Sequence, residues 1–380
     1  MNNIPFNKPF YAGGEAALLT EALSGELLSE GAGIRKACED FFCNRYGFDF
    51  ARLTNSCSMA LEIAAMLSGC TTDDEIIMPS YTFVSTANAF ALRGARIIFA
   101  DSEPQNPNVS LESVRSLITK KTRAIVVVHY AGIACQMEEF RSLADEHSIL
   151  LIEDAAQCIE SYYKGKPLGT IGDISCFSFH ETKNIHCGEG GLLVVNNKAL
   201  REQAEVLLFK GTNRSAFSRG LVRRYEWVAP GHSALPSPVS ALLLYSQLNA
   251  VAKVKARRRR IWELYNSALK QLAGQRVQLP VVPEGCEHNA HTFFLVVESL
   301  GERDALIRHL GLQGILAVFH YQALHASPYY RAIDSTVELP QSERYTDCLI
   351  RLPLYYELSD EQVLFIADRV LEYFNMKGRS

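Results

Sequence analysis

Two residues carry types and surroundings that suit chemistry. Lys183 lies in CFSFHETKNIHCGEGGLLVV, Cys176 to Val195, between two short apolar runs and beside Gly188, Gly190 and Gly191. Asp154 follows Glu153 at the end of the apolar run in ILLIEDAAQ. A lysine held in an enclosed site has a lowered pKa and can form a Schiff base with a carbonyl compound. A carboxylate closing a buried strand is costly unless a cation or a hydrogen-bond donor meets it. On the segment alone, Asp154 reads either as a helix cap or structural ion pair, or as an anion that holds a protonated ring nitrogen. The glycines after Lys183 would let the backbone bend sharply and pass close to a ligand.

An anion site is also suggested. Thr54, Asn55, Ser56, Cys57 and Ser58 follow the strand-like ARL and open the helical pattern MALEIAAML. Small hydroxyl residues at a helix start offer backbone N–H groups and a favourable dipole to a phosphate. Ser178, just before Lys183, could add a hydroxyl. MPSYTFVSTAN puts Tyr81 and Phe83 after the strand-like EIIMP. Either ring reads equally as core, and Phe83 covers a flat ligand only if its loop folds over the site. A Schiff-base lysine with an aspartate for a pyridinium nitrogen is what pyridoxal phosphate requires.

The elements that must position these groups are short. DEIIMP, ARIIFAD, RAIVVVHYAG and ILLIEDAAQ read as buried strands, alternating with helical patterns such as CSMALEIAAMLSG and CQMEEFRSLADEHS. This predicts an α/β fold with a mostly parallel sheet, with ligands at the carboxyl ends of its strands. Two domains are expected: residues 1–245, a large α/β domain with an N-terminal arm, and 246–380, a small α+β domain containing HTFFLVVES, AVFHYQAL and RLPLYYELSDEQ. One amphipathic helix from Pro238 to about Ala273 is expected to join them. Its basic run, Arg257 to Arg260, reads as a solvated helix face with ion pairs. The polar, basic stretch from Lys210 to Tyr225 reads as a mobile or intersubunit loop.

Composition narrows the classes. The chain has 380 residues, 48% hydrophobic and 21% charged, with a net charge of −4. That balance gives no reason to expect nucleic acid or an anionic membrane as a partner. No run of about eighteen apolar residues predicts a membrane span. The first residues, MNNIPFNKPFYAGGEAALL, lack the pattern of a signal peptide, so a cytoplasmic location is expected. The 10 cysteines include no CxxC pair, so neither a metal site nor a disulfide framework is expected. Most read as buried, reduced residues, with Cys57 and Cys187 the two of interest. No GxGxxG follows the first strand, which argues against a nicotinamide oxidoreductase.

TNSCSMALE, DDEIIMPSYTFVSTANAF, HYAG, EDAAQ, SFHETKN and GEGG together resemble the sugar aminotransferases of the DegT/DnrJ/EryC1/StrS family. The resemblance spans nearly the whole chain and is strongest from Thr54 to Asn213. It implies the aspartate aminotransferase-like fold type I of pyridoxal phosphate enzymes, and a homodimer with shared active sites. It implies ping-pong transfer of an amino group from L-glutamate to C4 of a nucleotide-linked sugar, a dTDP-4-keto-6-deoxy-hexose, for surface polysaccharide synthesis. By the same resemblance Lys183 is the Schiff-base lysine and Asp154 pairs with the ring nitrogen. Gln157 approaches the ring hydroxyl, Phe83 stacks on the ring, and Cys57, Ser58 and Ser178 contact the phosphate.

Relatives with histidine at the lysine position are dehydratases, so Lys183 favours transamination. A dehydratase or deoxygenase of the same fold, or a non-catalytic cofactor-binding protein, are the alternatives. His320 and Tyr321, in VFHYQAL, are expected either at the sugar pocket or as buried edge-strand residues. Arg214 and Arg219 are expected either at the nucleotide diphosphate or as solvated loop charges. Three segments depart from the family pattern: Ser56-Cys57-Ser58 for Ser-Gly-Thr, Gly231-His232-Ser233 for Gly-x-Asn, and Pro236 to Leu242 for Met-Ser-Asp-Leu-Gln-Ala-Ala. The second brings into question a phosphate contact across the subunit interface.

Overall fold

The computed structural model describes residues 3–24 and 32–377. A seven-stranded sheet forms its centre, in the order Ala51–Thr54, Gly191–Val195, Ile174–Ser178, Leu150–Asp154, Thr122–Val128, Glu75–Pro79, Arg96–Ala100. Gly191–Val195 runs antiparallel to both its neighbours, and the other six strands are parallel to one another. The near-continuous apolar runs follow from this arrangement. Successive residues of a strand face opposite sides, and here both sides are packed. Ile77, Ile125, Val127 and Leu151 enter one core, while Ile76, Ala124, Val126 and Ile152 enter another. A sheet buried on both faces needs no polar alternation.

The parallel arrangement decides where chemistry can sit. Asp154, Ser178 and Thr54 end three parallel strands, and Gly191 pairs with both Thr54 and Ser178. All lie at one edge of the sheet, where the connecting loops gather. From Thr54 the chain enters the helix Cys57–Ser68, capped by Ser56 at its start and by Gly69, with φ 66°, at its end. Both are favoured capping residues.

The C-terminal part forms a three-stranded antiparallel sheet, with Leu349–Leu352 between Phe293–Val296 and Val318–Phe319. Helices Val251–Leu269, Leu300–Leu312 and Asp360–Lys377 contribute to its core. The N-terminal arm joins it: the Ile4 N–H donates to the Gly314 carbonyl at 2.8 Å.

The single helix expected from Pro238 to Ala273 is two helices, Pro238–Leu248 and Val251–Leu269. The first starts cleanly on Ser237 as cap and Pro238 at the first turn, where proline is pre-organised. Its Ala241, Leu244 and Leu248 pack into a core of the seven-stranded sheet. The second sends Ile261, Tyr265 and Leu269 into the C-terminal core. One straight helix cannot serve both, and the break falls at Asn249–Ala250. No described helix is long and apolar enough to cross a membrane.

Candidate active site

The Lys183 loop is closed on itself. The Phe179 N–H donates to the Gly190 carbonyl at 2.8 Å, the Glu181 N–H to Gly188 at 3.0 Å, and the Lys183 N–H to His180 at 2.9 Å. Gly188 takes φ 78°, a left-handed conformation that glycine adopts without strain. Gly191 has a different reason. A Cβ there would lie 2.5 Å from the Ser56 carbonyl carbon and 2.6 Å from the Cys57 nitrogen. The close approach that the glycines permit is therefore between strand and helix start, rather than between loop and ligand.

Lys183 and Asp154 line one cavity of about 920 Å³. Burial pulls the Lys183 amine below its ordinary value of 10.5, opposed by Cys57 and Asp154 and aided by the Arg351 charge. Asp154 is buried. Its Oδ2 accepts the Thr86 hydroxyl at 2.7 Å, and Oδ1 accepts the Ala156 N–H at 3.2 Å. Burial raises its pKa, only partly offset by Thr86, Ala156, Lys183 and His129. A cation placed against this carboxylate would favour its charged form.

Gln157 forms the next wall. Its Oε1 accepts the Ala131 N–H at 2.6 Å, and its Nε2 donates to the Tyr321 hydroxyl at 2.9 Å. Asn289 holds the Gln157 and Ile159 carbonyls at 2.8 and 2.7 Å, tying this segment to the C-terminal part.

The phosphate reading can be tested on the helix Cys57–Ser68. Ser56 Oγ takes the Met59 N–H at 3.1 Å and the Ser56 carbonyl takes that of Ala60 at 3.2 Å. The Cys57 and Ser58 N–H groups precede these and have no partner within the helix. Ser58 Oγ lies 2.7 Å from Ser85 Oγ. Ser178 and Thr182 line the same space. This donor set suits a phosphate. Cys57 fits as a neutral side chain, because burial pushes its thiol pKa well up. With Asp154 and Lys183 on the same cavity, the residues fit pyridoxal phosphate.

Tyr81 and Phe83 separate clearly. Tyr81 is 1% exposed, packed among Tyr130, Tyr321 and Tyr345. Phe83 is 56% exposed, caps the helix Val84–Ala91 and faces the cavity. His320 and Tyr321 line the cavity too, with rings stacked at 3.6 Å. His320 Nδ1 meets the Tyr130 hydroxyl at 2.7 Å, and burial holds its imidazole well below the ordinary value.

Among the expected site residues, Cys57, Ser58, Phe83, Asp154, Gln157, Ser178, Lys183, His320 and Tyr321 share this cavity. Arg214 and Arg219 are not part of its lining. They flank or begin the short exposed helix Arg214–Ser218, where Arg219 Nε donates to the Ser215 carbonyl at 3.2 Å. Their segment folds back on itself through Asn213, which bonds the Arg224 carbonyl and the Glu226 N–H. Ser233 is exposed, and its carbonyl is 3.5 Å from Asn55 Nδ2.

The basic run needs one correction. Arg257 and Arg260 pair with Asp360, and Arg259 with Glu263 and Glu287. Arg258 is instead 4% exposed and lines the cavity, donating to the Ala290 and His291 carbonyls at 3.1 and 2.6 Å. Its spacing with Val254, Ile261, Trp262 and Tyr265 puts it on the buried helix face, a signal that the run of charges masked. Thr86, His291 and Arg351 were also missed. An arginine inside the apolar run LIRLPL was the readable hint for Arg351.

The family model described as DegT/DnrJ/EryC1/StrS aminotransferase family matches residues 12–371. Among solved structures, the chain is similar to Helicobacter pylori PseC, an aminotransferase involved in the biosynthesis of pseudoaminic acid. The identity is 24%, over 99% of this chain and 100% of that one, with a TM-score of 0.90. The aminotransferase TlmJ from Streptoalloteichus hindustanus is 27% identical over 99% and 100% of the two chains, with a TM-score of 0.89. S. venezuelae DesV, solved in complex with a ketimine intermediate, is 27% identical over 98% and 99%, with a TM-score of 0.86.

Proposed function

The chain belongs to the DegT/DnrJ/EryC1/StrS aminotransferase family, and from that premise we propose that it moves an amino group from L-glutamate to C4 of a dTDP-4-keto-6-deoxy-hexose. The products are 2-oxoglutarate and a dTDP-4-amino-4,6-dideoxy sugar, as in the dTDP-4-amino-4,6-dideoxygalactose transaminases of surface polysaccharide synthesis. The enzyme depends on pyridoxal 5′-phosphate. The observation that carries the reading is the shared cavity of Lys183 and Asp154 at the carboxyl edge of a mostly parallel sheet.

When bound, the cofactor supplies the electron sink that stabilises charge left on the carbon bearing the amine. Asp154 keeps a proton on the ring nitrogen, and Thr86 orients its carboxylate. Lys183 Nζ, its pKa lowered by burial, would take the proton from the donor α-carbon as a base and give it to the cofactor's C4′ as an acid. The helix start at Cys57 and Ser58 holds the phosphate, and Phe83 covers the ring. His320 and Tyr321 face the sugar. Residues 1–245 carry the cofactor and 246–380 close over it. Two copies assemble, and the exposed side chains of Leu221, Tyr225, Trp227 and Val228, interspersed with Arg223, Arg224 and Glu226, support that reading.

The test is the visible spectrum of the purified, cofactor-loaded protein. L-Glutamate alone should replace the band of the bound cofactor with that of its shorter-wavelength pyridoxamine form and release 2-oxoglutarate. Added dTDP-4-keto-6-deoxyglucose should restore the band and yield the amino sugar. Lys183→Ala should bind the cofactor and turn over nothing. A band indifferent to L-glutamate, or normal turnover by Lys183→Ala, would overturn the reading.

A further inference from the structure

His325 sits on the short turn Leu324–Ala326 of the C-terminal part and is buried. Both ring nitrogens and the backbone N–H meet side chains. Nδ1 lies 2.7 Å from Ser80 Oγ, the N–H donates to the same Oγ at 3.1 Å, and Nε2 lies 3.0 Å from Glu343 Oε1. Because Oγ already accepts the N–H, its own proton goes to Nδ1, and Nε2 carries the ring proton toward the carboxylate. Serine, histidine and glutamate in a row are the side-chain types of a hydrolytic triad. Here Ser80 is fully buried and outside the cavity lining, so its hydroxyl meets no substrate. The arrangement serves to hold.

What it holds is the turn that carries Phe83. Ser80 directly follows the strand Glu75–Pro79. Its carbonyl accepts the Leu324 N–H at 2.9 Å and the Thr82 N–H at 3.0 Å. Thr82 Oγ1 lies 2.9 Å from Thr86 Oγ1, which donates to Asp154 Oδ2 at 2.7 Å. With the Thr86 proton given to Asp154, Thr82 is the donor in the bond between the two threonines. Ser80, Thr82 and Thr86 are all buried, and a fully satisfied buried network fixes one geometry. The contacts thus run from the half-exposed Glu343 through His325 and the turn to the Asp154 carboxylate, while Phe83 and Leu324 face the cavity from either side of the clasp. We propose that His325 is a positioning residue for the cofactor site: through Ser80 it fixes the turn that places Phe83 over the ring and steadies Asp154. Docking of the C-terminal part against the sheet therefore completes the site, although His325 touches neither cofactor nor substrate.

The test uses holoenzyme and the variants His325→Leu, His325→Asn and Ser80→Ala, with Tyr330→Phe as control. The Tyr330 hydroxyl, in the same segment, donates to the Ile97 carbonyl on the outermost strand at 3.1 Å, so its loss loosens the docking without touching the turn. Far-ultraviolet circular dichroism checks folding, and the visible circular dichroism of the bound cofactor reads how it is held. His325→Leu and Ser80→Ala should lose most of the visible signal and weaken cofactor binding about threefold to tenfold. His325→Asn sets an amide oxygen where Nδ1 stood and should restore most of the signal. The losses of His325→Leu and Ser80→Ala should not add in the double variant, because they remove one shared contact. Tyr330→Phe should match the wild type. Unchanged signals in His325→Leu and Ser80→Ala, additive losses, no rescue by His325→Asn, or an equal loss in Tyr330→Phe overturns the proposal. If His325→Leu does not fold, Ser80→Ala and His325→Asn decide. The proposal rests on the cofactor site described above and not on the amino donor. A wild type that ignores L-glutamate removes the transfer reading, while the dichroism still decides this one.

Discussion

Glu153 and Asp154 are neighbours on one strand with opposite tasks. Alternation sends Asp154 to the cavity and Glu153 away from it. Glu153 Oε1 accepts the Ile171 and Gly172 N–H groups at 2.9 and 2.6 Å. Its Oε2 accepts Gly169 at 2.8 Å and His129 Nε2 at 3.0 Å. Burial works against its charge, but His129 and these N–H groups hold its pKa below the ordinary 4.5. Glu153→Gln should therefore cost about 1.5–3 kcal/mol of stability at pH 7, measured by urea denaturation, with cofactor still bound. Because the folded pKa is depressed, that deficit should shrink as pH falls below 4.5. Asp154→Asn should fold nearly as well as wild type, yet slow the glutamate half-reaction at least about 100-fold in stopped-flow absorbance. Equal stability losses in the two variants would mean that both residues are structural.

At the scale of elements, the site depends on how Gly191–Val195 meets the helix Cys57–Ser68. Gly191 is the one residue on that strand that pairs with both flanking strands' ends and touches the helix start. Gly191→Ala should push the Ser56–Cys57 backbone outward, at about 1–3 kcal/mol, and weaken cofactor binding more than a comparable core change. A cofactor titration comparing Gly191→Ala with Val195→Ala checks this, since Val195 lies at the far end of the same strand. Equal affinity in both would show that the close approach does not shape the phosphate site. The lysine loop is braced similarly. Gln247, on the helix Pro238–Leu248, accepts the His186 N–H at 3.0 Å and donates to the Phe10 carbonyl at 3.0 Å. One buried amide thus joins loop, helix and N-terminal arm.

The whole molecule assembles its cavity from distant stretches of chain, among them sheet-edge loops, the helix Val251–Leu269 through Arg258, the strand ends of the small sheet, and the arm residues Phe6 and Asn7. It also leaves several apolar side chains between Leu221 and Val228 exposed, Trp227 at 77%. Large exposed apolar side chains gathered on one segment, mixed with charges, suit a protein interface. The expectation is a homodimer at micromolar concentration by light scattering, with Trp227→Asp shifting it toward monomer. A monomeric wild type at those concentrations would remove the shared-site reading.

Much of this was legible in one dimension. The strands, the helix start at Ser56, the lysine with its glycines and the aspartate closing ILLIEDAAQ all depend on local patterns: apolar periodicity, capping residues, small residues at a tight turn. The tertiary structure alone decided what depends on direction. It put Tyr81 in the core and Phe83 at the cavity, although they are two residues apart. It broke the Pro238–Ala273 helix so that its halves could serve two cores. It turned Arg258 inward from a run whose other arginines pair at the surface, and it brought Arg351 to Lys183 from another sheet. These outcomes arise from contacts between segments far apart in the chain, and residue type and spacing carry no record of which distant surface a side chain will meet.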